Sequence, residues 1–264
     1  MHSSWFRKPI YKPLRWVIAI SLIAGIAIGY FTDYGLYPFL LLLIIWIFFL
    51  IFSSFHIRSG VYIKITCAGN PNIRKVSITF DDGPGNATIE VLELLEKFNA
   101  KGTFFIVGKN AEKDPDTVKK IYKGKHTIGN HTLNHRSWFP IMSVKSIGNE
   151  ILQTQKIIEK ITGAPPLYFR PPYGITNPLI AKSLESFRFI IIGWSIRSLD
   201  TVIDEPDRIF RRIRKRIKPG SIILLHDSSE KVIKILEELL VYCKQQNLQP
   251  VSIDELLEDE NEQN

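Results

Sequence analysis

Two long runs without a Lys, Arg, Asp or Glu, Trp16–Thr32 and Tyr34–Ile57, are separated only by Asp33, and they constrain the fold before anything else. As helices rising about 1.5 Å per residue they reach roughly 25 and 36 Å, against a bilayer hydrocarbon core of about 30 Å. The second is long enough to span. The first is shorter and rich in Gly and Ala, which suits close packing on a neighbouring helix, and Thr32-Asp33-Tyr34-Gly35 supplies a turn. The expected arrangement is a transmembrane hairpin with spans about 16–32 and 36–55, so that residues 1–57 form a membrane anchor and 58–264 a separate domain. A signal peptide followed by a core helix fits less well. No small-residue cleavage motif precedes the second run, which is too long for an ordinary buried helix.

Arg7, Lys8, Lys12 and Arg15 precede the first span and favour a cytoplasmic N-terminus. Two spans then return residues 58–264 to the cytoplasm, in accord with Arg58 and Lys64, whereas a single span at the second run puts them outside. Both topologies stay open, and either makes the chain an integral protein of the cytoplasmic (inner) membrane. The four cations against Asp33 leave +5 of the formal +8 for the rest of the chain. A moderately basic surface suits anionic lipid or glycan, and no nucleic-acid motif accompanies it, so nucleic acid is not an expected partner. Cys67 and Cys243 alone build neither a disulfide framework nor a cysteine zinc site. Any metal site must use His and carboxylate.

The residues after Ile57 are enough for one α/β domain of barrel size. Short β-rich runs at 76–80, 103–107, 126–130, 168–170, 187–194 and 221–226 alternate with helix-like stretches at 87–99, 115–123, 143–161, 177–186, 205–217 and 230–246. Alternation of this kind predicts a parallel sheet, open or closed as a barrel, with its chemistry at the C-terminal strand ends. Stretch 205–217 interleaves Ile209, Ile213 and Ile217 with Arg211, Arg212 and Arg214, which reads as an outer helix with a solvated face. His2, His56 and His126 stand outside any motif and are expected to be structural.

Polar residues gather at the predicted strand ends: Asp81-Asp82, His131, Arg170 and His226-Asp227. Each alone has an ordinary explanation as a turn, surface or ion-paired residue. Together they suggest chemistry. His131 and His135, four apart, project from one face of a helical turn, and Asp82 completes a two-histidine, one-carboxylate set for a divalent ion. Such an ion acidifies a water and polarises a carbonyl, which is hydrolysis of an amide or ester without a covalent intermediate. Adjacent aspartates on a strand end point in different directions, leaving Asp81 to act as general base. His226, kept protonated by a carboxylate such as Asp200, is the candidate acid for the leaving amine.

Thr79-Phe80-Asp81-Asp82-Gly83-Pro84, His131-Thr132-Leu133-Asn134-His135, Arg170-Pro171-Pro172-Tyr173-Gly174, Trp194 through Asp200, and Leu224-Leu225-His226-Asp227 resemble, in order, the five motifs of the polysaccharide deacetylases, carbohydrate esterase family four. The resemblance covers most of residues 74–254. It implies a distorted (β/α)7 barrel, the NodB-like fold, following the hairpin, with residues 58–264 as the catalytic domain. It also implies one divalent ion, zinc first with Co2+, Ni2+ or Mn2+ as alternatives, on Asp82, His131 and His135. By the same resemblance Asp81 is the base with Arg170 as its ion-pair partner, the Tyr173 backbone NH an oxyanion donor, His226 the acid tuned by Asp200, and Leu224 a wall of the acyl pocket.

Two positions depart from the family pattern: Thr201 follows Asp200 where Trp is common, and Arg197 stands where another Asp is often found. The acyl pocket then lacks its usual indole, and Trp138 and Trp194 are the indoles available to fill it. The expected function is a membrane-anchored, metal-dependent N-deacetylase acting on an aminosugar of peptidoglycan, another surface polysaccharide or a lipid-linked precursor, working as a monomer. An O-acetyl esterase and a catalytically silent glycan-binding module are the alternatives.

Overall fold

The computed structural model describes residues 11–258, so His2, Arg7 and Lys8 lie outside the described residues. Helices α1 (Tyr11–Phe31) and α2 (Tyr37–Phe55) form an antiparallel hairpin. Glycine permits their approach: a Cβ on Gly25 would stand 3.0 Å from the Cα of Phe39, and one on Gly29 would overlap the carbonyl of Gly35. Trp46 Nε1 donates to Ser21 Oγ across the pair (2.8 Å), a polar contact that small-residue helix interfaces accommodate. The outer faces are apolar and exposed, from Trp16 and Ile20 to Phe48 and Phe52. Both helices are long and apolar enough to cross a bilayer.

After a 3-10 turn at Ile57–Ser59 comes the sheet. Strands β1 (Lys75–Gly83), β2 (Gly102–Ile106), β3 (Thr127–Asn130), β4 (Tyr168–Phe169), β5 (Ile190–Ile191), β6 (Ile196–Arg197) and β7 (Ile222–His226) pair in the order β5-β4-β3-β2-β1-β7-β6. Every pairing is parallel, and β8 (Gln249–Val251) joins the first residues of β1. This is the distorted seven-stranded barrel that the resemblance implies. It is open between β5 and β6, and the chain at Thr66 and Ala68 bridges Ile192 and Ser221 beside that opening.

Alternation in β1 explains why the centre of the sheet serves two purposes. Val76, Ile78 and Phe80 join the core beneath the helices, while Thr79 and Asp81 point to the barrel interior and meet Arg170. The helices α3 (Thr88–Lys97), α4 (Gly108–Lys113), α5 (Pro115–Lys123), α6 (Val144–Thr162), α7 (Pro178–Leu184), α8 (Pro206–Arg214), α9 (Lys231–Gln245) and α10 (Ile253–Glu258) surround the strands. Their starts follow local chemistry: Asp114 accepts from Thr117 N, Ser143 from Ser146 N, and Asn177 from Leu179 N and Ile180 N. Gly163, with φ of 84°, closes α6. In α8, Ile209 and Ile213 are buried and the arginines face outward, as its spacing predicts.

The run 187–194 is not the long strand its apolar content predicts. Only Ile190 and Ile191 form a strand, on β4; Ile192 makes a single bridge to Thr66, and the carbonyls of Ile192 and Gly193 turn to the Arg170 guanidinium. Arg170 likewise leaves the strand at 168–170, its own carbonyl accepting from the His131 ring. Strands β6 and β8 and helices α4 and α10 are additional to the sequence-based expectation.

Candidate active site

The C-terminal ends of β1, β3 and β7 and the loops after β4 and β6 converge on one cluster. Asp81 ends the regular part of β1. The pairing with β2 then slips between Asp81 and Gly83, and Asp82 occupies that bulge with φ of 70°. Simple alternation would send neighbouring side chains to opposite faces, but the bulge re-aims Asp82, so both carboxylates reach the same cluster. Asn110 Nδ2 steadies the bulge by donating to Asp82 O (2.8 Å).

His131 and His135 meet without a helix. Residues 131–138 form an irregular loop in which Thr132 and His135 have φ of 67° and 49°. The i, i+4 spacing therefore reflects a clamped loop: Asn130 Oδ1 accepts from Thr132 N (2.9 Å), and Glu150 accepts from both Asn134 N (2.9 Å) and Asn134 Nδ2 (2.6 Å). Nδ1 of His131 lies 2.7 Å from the Arg170 carbonyl. A carbonyl only accepts, so Nδ1 donates here and Nε2 is the ring atom turned to the cluster.

Asp82 Oδ1 stands 3.5 Å from His131 Nε2 and 3.3 Å from His135 Nε2. It is buried and accepts no hydrogen bond of proper geometry. The three donor atoms lie within 4.8 Å of one another. Ligands of a small tetrahedral ion with bonds of about 2.1 Å stand about 3.4 Å apart, so the orphaned oxygen and the two ring nitrogens fit a divalent cation. Burial works against the Asp82 charge, but His131, His135 and His226 outweigh it and hold the carboxyl far below its usual range. Burial and neighbouring His131 push His135 down to about 4, leaving it neutral and able to ligate.

Arg170 is fully buried. Its Nη1 donates to Asp81 Oδ1 (2.7 Å) and Thr79 Oγ1 (2.8 Å), Nη2 to Gly193 O and Nε to Ile192 O, and the guanidinium lies 4.0 Å over the Phe105 ring. Asp81 is thus held through Oδ1, while Oδ2 faces His131 Nε2 at 3.8 Å. Opposite, His226 Nδ1 contacts Asp200 Oδ1 at 2.9 Å, and Asp200 Oδ2 accepts from His226 N at 2.7 Å. Ser198 Oγ donates to the same carboxylate (2.8 Å). Burial opposes the imidazolium, yet Asp200, Asp81 and Asp82 raise His226 to about 9. Its Nε2 points at Asp82, 4.0 Å from Oδ2.

Tyr173 sits in the 3-10 turn Pro172–Gly174 with φ of 59°, its ring 4.7 Å from His135 and its hydroxyl donating to His135 O. Leu224 is buried on β7, two residues before His226 and on the same face. All nine residues singled out in the sequence therefore lie at the same, C-terminal end of the barrel strands. Of the two candidate indoles, Trp194 packs beneath Gly174 and beside Arg170, whereas Trp138 lies half-exposed at the surface against Arg136. His126 belongs to the other end: buried beside Phe104, it accepts from Gly102 N, and burial lowers it to about 4. His56 stacks on Phe52.

Glu150, Asn110 and Ser198 were not legible as site residues. Glu150 did carry a signal, an acid on the stripe of Ile147, Ile151 and Ile158 that α6 buries. Asp227 also supports the site. Thr88 Oγ1 donates to its carboxylate (2.6 Å), which packs against Gly83, and burial raises its carboxyl to about 6.

Residues 68–190 match the family described as Polysaccharide deacetylase. Two peptidoglycan-N-acetylglucosamine deacetylases of Bacillus cereus are 36% and 34% identical, over 61% and 71% of this chain. The chain spans 58% of the first and 90% of the second. Among solved structures, a peptidoglycan N-acetylglucosamine deacetylase superposes with a TM-score of 0.69 at 31% identity, covering 73% of this chain and 92% of that one. A carbohydrate esterase family 4 pseudoenzyme from Bacillus anthracis superposes at 0.67 with 27% identity, over 73% and 70%. Similarity that runs through nine-tenths of a relative at 34% identity, on the same barrel, makes this chain a member of the polysaccharide deacetylase family.

Proposed function

We propose that the chain is a membrane-anchored N-deacetylase that hydrolyses the N-acetyl group of an aminosugar in a glycan. The observation that carries this reading is the convergence of three units on one point: Asp81 tied to Arg170, the Asp82-His131-His135 donor set, and His226 tied to Asp200. A divalent ion held by that donor set, zinc first among the candidates, would acidify a water and polarise the acyl carbonyl. Asp81 Oδ2 accepts the proton of the attacking water while Arg170 fixes its other oxygen. The Tyr173 backbone NH donates to the carbonyl oxygen as negative charge develops there. When the carbon–nitrogen bond breaks, His226 Nε2 gives its proton to the nitrogen, so that acetate and a free amine depart. Leu224 bounds the acyl methyl.

The names of the relatives support an N-acetylated surface glycan, peptidoglycan first, as the substrate class. An O-acetyl esterase would use the same groups. The N-acetyl reading is preferred because an amine cannot depart unprotonated, and His226 is held as a cation. A silent binding module would be marked by loss of base, acid or donor set, and this chain keeps all of them. Residues 1–57 serve as the anchor in the cytoplasmic membrane and 58–264 as the catalytic domain. Acetate release from N-acetylated peptidoglycan fragments, by the full chain with and without added Zn2+, tests the reading. Release without free amine formation would turn it into an esterase.

A further inference from the structure

We propose that the site takes an N-acylated aminosugar carried on a membrane lipid and presented at the bilayer surface, an inference that rests on the deacetylase and anchor readings above. The end of α2 is built into the wall of the catalytic mouth. Thr176 N donates to Ser54 O (3.0 Å), Tyr62 Oη to Leu50 O (3.0 Å) and Ser59 Oγ to Ser53 O (2.9 Å). Ile57 is buried where its Cδ1 would stand 3.3 Å from a Cβ on either Gly174 or Gly193. No slack joins anchor to barrel here. Tyr173 is three residues from Thr176, at most about 11 Å of extended chain. If α2 spans, Phe55 marks the edge of the hydrocarbon, and the headgroup layer extends roughly 5–8 Å beyond it. The mouth is therefore held at or just above the headgroup layer.

Its rim has the matching chemistry. Asn177 Nδ2 donates to Pro140 O (2.6 Å), which joins the start of α7 to the turn Phe139–Ile141 next to the Ser54 contact. Around this joint Ile141 is 80% exposed, Leu179 40% and Trp138 52%. Arg58, Arg136 and Lys182 are exposed among them. Apolar and aromatic side chains with interspersed cations are what a lipid headgroup layer accommodates, the cations matching the phosphate of an anionic lipid carrier. A sugar on a lipid reaches such a mouth by lateral diffusion at high local concentration, whereas a glycan strand remote from the bilayer must be brought down to it.

The test uses the full chain in phosphatidylethanolamine/phosphatidylglycerol vesicles with zinc. Two probes are compared: N-acetylglucosamine on hexadecyl phosphate within the same vesicles, and water-soluble N-acetylated chitotetraose. The expected result is about a 10-fold or greater kcat/KM for the lipid-held probe. The double variant Ile141→Asp/Leu179→Asp should lose most of that preference while keeping its rate on the soluble probe. Equal rates on both probes, or an unchanged preference in the variant, would overturn the proposal and leave the deacetylase reading standing. Hydrolysis of neither probe would take down the deacetylase reading and this proposal with it.

Discussion

Asp81 and Asp82 are neighbours of the same residue type, yet their surroundings assign them different work. Asp81 is tied to a buried guanidinium and Asp82 to two imidazoles. Asp81→Asn keeps an acceptor for Arg170, so metal content should be unchanged while turnover falls by about 10²–10⁴. His131→Ala should lose metal and turnover together, and elemental analysis beside an acetate assay separates the two. Near-full activity in Asp81→Asn would remove it as the base. In the proposed role of acid, His226 works only while protonated, so activity should be present below its raised pKa and lost as pH rises through it. Asp200→Asn removes the main force raising that pKa, so the alkaline limb should move roughly one to two pH units lower. A limb that stays put would contradict the pairing. These residues were legible because each chemical type is rare at a strand end. The re-aiming of Asp82 was not, since it depends on a backbone bulge that alternation does not encode.

At the scale of elements, the long amphipathic stretches fell where hydrophobic period and caps indicated: α5 at Pro115–Lys123, α6 at Val144–Thr162 and α9 at Lys231–Gln245. Two-residue strands such as β6 carry no period to read. They form because the flanking strand β7 offers its edge. The loop carrying His131 and His135 looked helical by spacing, and what shapes it instead is α6, whose Glu150 clamps Asn134. Glu150→Ala should therefore lower metal affinity by about 10–100-fold with the helical content intact. Calorimetric metal titration alongside circular dichroism reads both. Unchanged affinity would mean the loop holds itself.

Over the whole molecule, an apolar hairpin and a polar-mouthed barrel are joined without a linker, and the hairpin's exposed apolar faces have no partner among the described residues. The full chain should remain in the membrane fraction after alkaline carbonate washing and leave it only with detergent. Release by carbonate would contradict the anchor. The C-terminal end of the barrel opens beside the hairpin, and the Asp81–Arg170 pair, the Asp82-His131-His135 donor set and the His226–Asp200 pair meet there. The most direct measurement is acetate and free-amine release by the purified full chain from N-acetylglucosamine substrates, both soluble and vesicle-held, before and after chelation and zinc readdition. Equimolar acetate and amine are expected, lost on chelation, restored by zinc and nearly absent in Asp81→Asn. Hydrolysis indifferent to chelation, or none from any N-acetylated substrate with zinc bound, would contradict the proposed function.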